Sequence, residues 1–344
     1  MRRVSKAILV NFIKLTIVAG LLWWMVDSGK LSLSQMTVFL NRPDLVFAGI
    51  LVWLLGPVGL GSLRWWLLIR GANLHCSYFR ALKLQLVGFF FNTAMPGAVG
   101  GDIVKAIYIV RDQDVPLGKT PALLSVLLDR IIGLIGLFFM GVVAACFSYE
   151  RLLATPVTRS LLMGLAAVVG ASALFLAVVF LPWRDGRDPV HSVLSLRLPG
   201  FGLLKRIYQA LRAYKYRPGI VFATIGISVV IQMIFLGFMG FIGKILYGDQ
   251  GFDASLLAPI FPFGILVTAI PLAPGGLGVG HAAFEKLFSL VGLPGGANVF
   301  NVYVLSQLVM NLLGIIPYLS LKSHAGSSMS PSKMSAYGSE SRSL

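Results

Sequence analysis

Cysteine, histidine and acidic side chains are scarce in this chain, and each shortage removes a class of chemistry. Two cysteines, Cys76 and Cys146, cannot build a disulfide framework or a CxxC metal site. There are four histidines, and the chain lacks HExxH, a P-loop and a GxSxG elbow, so no enzyme motif, metal site or cofactor is expected. The triplet Asp112-Gln113-Asp114 has a DxD form, but such triplets arise by chance and its short loop leaves no room for a transferase domain. Charged residues make up only 12% of the chain and hydrophobic residues 57%, which excludes an ordinary soluble domain.

What the chain has instead is long apolar runs. A membrane span needs roughly 20 apolar residues, and six windows qualify, at about 7–26, 45–69, 121–148, 160–181, 220–247 and 298–321. The first follows Arg2, Arg3 and Lys6, but its core is too long for a signal peptide and no small-residue cleavage site precedes Asp27, so a retained helix is expected. Lys14 within it snorkels to the surface.

The few charges fix a topology. Arg184, Arg187, Arg197, Lys205, Arg206, Arg212, Lys215 and Arg217 crowd the segment 182–219, which marks it as a cytoplasmic loop and argues against nucleic acid as a partner. Within it, Leu204, Ile207, Tyr208, Leu211 and Tyr214 share one face of an amphipathic helix over 201–216, suited to a lipid surface or to the end of a helix bundle. The stretch 81–111 decides the rest. Crossing once, it would put that basic loop outside. Dipping in and returning, it keeps the loop inside with both termini. The same logic makes 256–292 re-entrant from the opposite side.

The expectation is therefore an all-α, polytopic membrane bundle of about six full spans plus two Pro/Gly-broken re-entrant helical hairpins, arranged as an inverted repeat. Its units cover about 45–148 and 220–321 of a single membrane domain, 1–321. A Ser- and Gly-rich tail, 322–344, is expected to be disordered.

Two Pro/Gly breaks anchor that repeat. Asn92 precedes Pro96, Gly97, Gly100, Gly101 and Asp102 in one; Pro274, Gly275, Gly276 and Gly278 form the other, about 178 residues on, with Pro96 aligned to Pro274. Paired interruptions in two halves of a membrane protein point to a midplane binding site. Each is followed by a half-helix whose N-terminal amides favour an anion. Asp102 is either a helix cap or a ligand contact, with Lys105 one turn on. Arg130, beside Asp129 and about 13 Å into its span, suits either a lipid phosphate or a carboxylate on another helix. His281 and Glu285 share a helix face at i, i+4, as a proton-linked or cation-binding pair would. Gln232, Gln307 and Asn311 are further polar groups for a cavity or for interhelical bonding.

The ordered set Pro96-Gly97-x-x-Gly100-Gly101-Asp102, Asp129-Arg130-x-x-Gly133 and Pro274-Gly275-Gly276-Leu277-Gly278, followed by Glu285, resembles the lysylphosphatidylglycerol synthase transmembrane (flippase-like) family over roughly residues 7–321. The resemblance implies a bacterial or archaeal inner-membrane protein with a lipid flippase-like domain. In bifunctional relatives that region moves an aminoacylated phospholipid, and a separate soluble domain makes it. That synthase domain, and so lysyl transfer, is not expected here. The resemblance singles out Gly100, Gly101, Asp102, Arg130, Gly275, Gly276 and Glu285. The leading expectation is a lipid translocase with membrane lipids of anionic or zwitterionic headgroup as partners. The alternatives are a transporter of a small solute or ion, a membrane-embedded enzyme using Asp102 with His281 and Glu285, and an accessory subunit of a lipid-modifying enzyme.

Overall fold

A computed structural model describes residues 37, 39–94, 100–113, 119–147, 149–180, 205, 208, 214, 217–248, 251–269 and 278–320. The predicted span 7–26, most of the basic loop, the tail, and Pro96, Gly97, Pro274, Gly275 and Gly276 lie outside these residues. Among the described residues every regular element is helical.

The first long apolar run opens with Pro43 at the start of α1 (Pro43–Trp53), where a missing N–H costs nothing. Pro57 then sits inside the run, and the helix widens to a π-turn, Leu54–Leu60, before resuming as α2 (Gly61–Gly71). A proline cannot donate to the preceding turn, so nearby carbonyls need other donors. Gln85 donates to the Pro57 carbonyl at 3.4 Å and Tyr78 to that of Gly59 at 3.3 Å.

Both donors come from α3 (Tyr78–Ala94), which is followed by α4 (Gly100–Arg111). Contacts pair Asn92 with Gly101, Gly88 with Gly101 and Lys105, Gln85 with Lys105, and Arg80 with Asp112, the order of two antiparallel arms. Gly101 lies so close to the Gly88 carbonyl that a Cβ there would overlap it. Long helix α5 (Lys119–Cys146) follows, then the short α6 (Tyr149–Leu153) and α7 (Pro156–Phe180), an almost wholly exposed helix leaning on α5.

The second half begins with α8 (Pro218–Tyr247). A short 3-10 turn leads into α9 (Leu257–Thr268), and α10 (Val279–Leu290) follows. Here Gly264 meets Phe284 and Thr268 meets Gly280, again the order of antiparallel arms. Helix α11 (Gly296–Leu313) completes a run that extends to Ser320.

Among the described residues, five helical runs are long and apolar enough to cross a membrane: Pro43–Gly71, Pro121–Cys146, Pro156–Ala177, Pro218–Tyr247 and Gly296–Ser320. They coincide, to within a few residues at each end, with five of the six predicted spans. Packing between them is not driven by water exclusion, because lipid tails are as apolar as leucine; small residues bring the backbones together instead. Gly136 of α5 abuts Ser228 of α8, and Gly49 of α1 abuts Ser306 of α11. The arrangement of neighbours repeats: α5 packs on α8 and α9, and α11 packs on α1 and α3. Tyr208 and Tyr214, from the predicted amphipathic segment, are buried with Leu68, Leu128 and Val221, and the Tyr214 hydroxyl donates to the Leu68 carbonyl at 2.6 Å. Those two tyrosines therefore pack against the bundle.

Candidate functional site

A cavity of about 240 Å³ is lined by the π-turn, both arms α3 and α4, α2, α5, α8 and the end of α9. Its walls carry five charged side chains: Arg64 from α2, Asp102 and Lys105 from α4, and Asp129 and Arg130 from α5. Burying charges inside an apolar bundle is costly unless they are paired, and intramembrane ionisable groups mark function by default. All five are paired. Arg64 Nε donates to Asp129 at 2.7 Å and its Nη1 to Ser228 of α8 at 2.9 Å. Asp129 lies 3.9 Å from the Lys105 ammonium, which is 3.4 Å from Asp102. Arg130 forms a short ion pair with the other oxygen of Asp102.

Lys105 is the most enclosed cation, with its side chain only 5% exposed. Its stem lies across Gly88, its ammonium donates to Gln85 at 2.9 Å, and it stands 4.7 Å from the centre of the Trp65 ring, a cation–π contact. Arg130 is the opposite, 44% exposed, at the mouth of the cavity. With three cations and two carboxylates among the described residues, the cluster carries an excess of one positive charge.

A second concavity, about 610 Å³, runs between α4 and α5 and is lined by Ile103, Ile107, Leu123, Leu127 and other apolar groups. It shares Asp102, Arg130 and Ala269 with the charged cavity. A polar chamber thus meets an apolar groove at the Asp102–Arg130 ion pair.

The structure sorts the predicted site residues into two places. Asn92, Gly101, Asp102, Lys105 and Arg130 line the charged cavity, and Gly100 is buried at the start of the same helix. Asn92 of α3 accepts a hydrogen bond from the Gly101 amide at 2.7 Å, capping α4. Arg130 has taken the carboxylate partner that was one of its two predicted roles. Gln232 also lines the cavity, whereas Gln307 and Asn311 do not.

Gly278, His281 and Glu285 are elsewhere. Gly278 has φ +78°, a left-handed conformation that glycine adopts without strain, and opens α10. Its amide donates to His281 Nδ1 at 3.3 Å, while Nε2 lies 3.3 Å from Asn301. Glu285 accepts from the Ala297 amide at 2.8 Å, at the N-terminus of α11. Asp102, His281 and Glu285, the acid–base set offered by the sequence, therefore do not meet around the cavity.

Sequence reasoning overlooked Arg64, Gln85 and Trp65. Arg64 had a usable signal, as a lone cation deep in an apolar run. Its pairing with Asp129, 65 residues away, had none.

The family described as the lysylphosphatidylglycerol synthase TM region matches residues 11–317. The chain belongs to that family. A UPF0104 membrane protein of Pyrococcus horikoshii, PH1989, is 27% identical over 180 residues, about half of each chain. No solved structure matches. Membership in the lysylphosphatidylglycerol synthase transmembrane family, with the five apolar helices, makes the chain a multi-pass integral membrane protein.

Proposed function

We propose that this protein translocates a lipid between the leaflets of a cytoplasmic or inner membrane, with an anionic or zwitterionic headgroup in the charged cavity. The observation that carries the reading is the junction of that cavity with the apolar groove at Asp102 and Arg130. A guest that fills both must be polar at one end and apolar at the other. A soluble ion or solute has no use for the groove. The excess positive charge favours a phosphate or carboxylate, and Arg130 has the fork geometry to bind one bidentately.

In this reading residues 45–148 and 220–321 are inverted units, and the paired arms α3–α4 and α9–α10 are re-entrant from opposite sides. The basic loop 182–219 and both termini are cytoplasmic. Support comes from the matching helix order, the antiparallel contacts within each pair of arms and the reciprocal packing of α5 and α11. Rocking of one unit against the other would expose the groove to each leaflet in turn. The family description names the transmembrane region of a phospholipid synthase; it lends weight to a lipid guest and none to a lysyl group.

The test is leaflet exchange of headgroup-labelled lipids in liposomes containing the purified protein. Wild type accelerates exchange, and Arg130→Ala slows it about tenfold or more, the worth of a charge-assisted hydrogen bond. Exchange indifferent to both Arg130→Ala and Lys105→Met, or absent for every lipid with folded protein, overturns the proposal.

A further inference from the structure

We infer that the site admits a lipid headgroup bearing a single negative charge on a phosphodiester, and that Asp102 sets this limit. The inference rests on the lipid-binding reading of the cavity and adds the class of headgroup and the residue that selects it.

The argument is a charge count on fixed geometry. Arg64 and Asp129 form one settled pair: both are nearly buried, the arginine is also held by Ser228, and its guanidinium lies against Gly133 of α5. Lys105, Arg130 and Asp102 remain, two cations sharing one carboxylate. A guest phosphodiester at the cavity mouth takes Arg130, while Asp102 keeps Lys105, its neighbour one turn along α4. The site then holds three positive and three negative charges.

A phosphomonoester dianion would add one more negative charge than the described lining of the cavity offsets. Charge burial of that kind is relieved by taking up a proton. Among the described residues, the other polar side chains that line the cavity carry no charge. From α3 the cavity receives Gln85 and Asn92, from α8 Gln232, and from α9 Thr268, all uncharged. The expected order is the reverse of simple attraction, in which a dianion binds a cationic site more tightly.

The experiment measures binding, not transport. Fluorescent-chain phosphatidylglycerol and phosphatidic acid are titrated onto the full-length protein in a nonionic detergent between pH 5.5 and 8.5. Phosphatidylglycerol carries one negative charge throughout. Phosphatidic acid acquires its second near pH 6, the ordinary range of a phosphomonoester. Wild type is expected to bind the two alike at pH 5.5, then to lose phosphatidic acid by up to about tenfold per pH unit above that pKa, because each bound dianion must first recover a proton. Asp102→Asn, which leaves the cluster one charge more positive, flattens that loss.

Phosphatidic acid affinity that is flat or rises with pH in wild type overturns the inference. So does an unchanged slope in folded Asp102→Asn. If that variant does not fold, the wild-type pH series decides alone. Glycerophosphoglycerol, the same phosphodiester without chains, competes weakly because it leaves the apolar groove unfilled; equal competition would assign the site to a soluble phosphodiester and overturn the lipid part. The expected pH pattern without leaflet exchange would refute translocation and leave the headgroup assignment standing. Exchange without the pH pattern would do the opposite.

Discussion

The two paired-arm motifs are built alike and filled differently. In each, a glycine on the first arm receives one large side chain from the second. Gly88 receives Lys105; Gly264 receives Phe284. Around Lys105 stand Gln85, Trp65, Asp102 and Asp129. Around Phe284 stand Phe300, stacked at 4.8 Å, and Phe288, edge-on at 6.1 Å. The first pair of arms thus holds a charge cluster and the second an aromatic cluster. Shape repeats where backbone approach is needed, and chemistry is concentrated on one side. A functional assignment that weights both motifs equally therefore overstates the second.

The sharpest way to break the comparison is to ask whether both motifs re-enter. If α3 and α4 dip in and return, Cys76 and Cys146 face opposite sides of the membrane; if they cross, the two face the same side. Single-cysteine variants and a membrane-impermeant maleimide on intact cells decide this in an all-or-none way. Cys146 is exposed and is expected to react from outside. Cys76 is protected until the membrane is opened, and even then it reacts slowly at neutral pH. Burial, helped by nearby Asp112, pushes its thiol up to about 11, so almost none is thiolate. A denatured sample serves as its labelling control. Protection of both cysteines on intact cells would mean that the first motif crosses, and the two motifs would not be inverted equivalents.

The next effect is on stability. Asp129→Ala leaves Arg64 and Lys105 without a shared carboxylate inside the bundle, a loss of about 3–5 kcal/mol. Adding Arg64→Met recovers a good part of it, since removing both ends of a buried pair costs far less than removing one. Phe284→Ala costs about 3–5 kcal/mol by leaving a cavity, and only restored volume, as in Phe284→Leu, lessens the loss. Thermal unfolding in detergent reads both series. If Arg64→Met fails to improve Asp129→Ala, the first cluster is held by packing as the second is, and the contrast collapses.

How much of this was legible beforehand follows from the range of each signal. Long apolar runs are local, so five span positions could be read directly from composition. The two Pro/Gly breaks and the basic loop led to the expectation of re-entrant hairpins; the contacts show the antiparallel order of the arms, and their re-entry is what the cysteine labelling tests. Lys105 and Asp102 were paired by helical spacing alone, and the structure keeps that pair. His281 and Glu285 had the same kind of signal, but partners from α11 claim both. Local periodicity shows which residues share a face; it does not show what that face meets. The Arg64–Asp129 pair and the meeting of cavity with groove depend on α2, α4, α5 and α9 converging, and no sequence window contains all four.

The smallest expected effect concerns Glu285, the acid that the sequence offered for proton coupling. In the structure its carboxylate accepts the Ala297 amide at the start of α11, where a helix leaves amides without partners and favours negative charge. Glutamine keeps an acceptor oxygen there and loses only the interaction of charge with the helix end, about 0.3–1 kcal/mol. Glu285→Gln is therefore expected to lower the unfolding temperature slightly and to leave lipid exchange, measured across a pH series, where wild type has it. Arg130→Ala in the same series should depress exchange at every pH. A Glu285→Gln profile that loses its pH dependence would make this carboxylate a proton carrier despite its capping bond, and would return functional weight to the second motif.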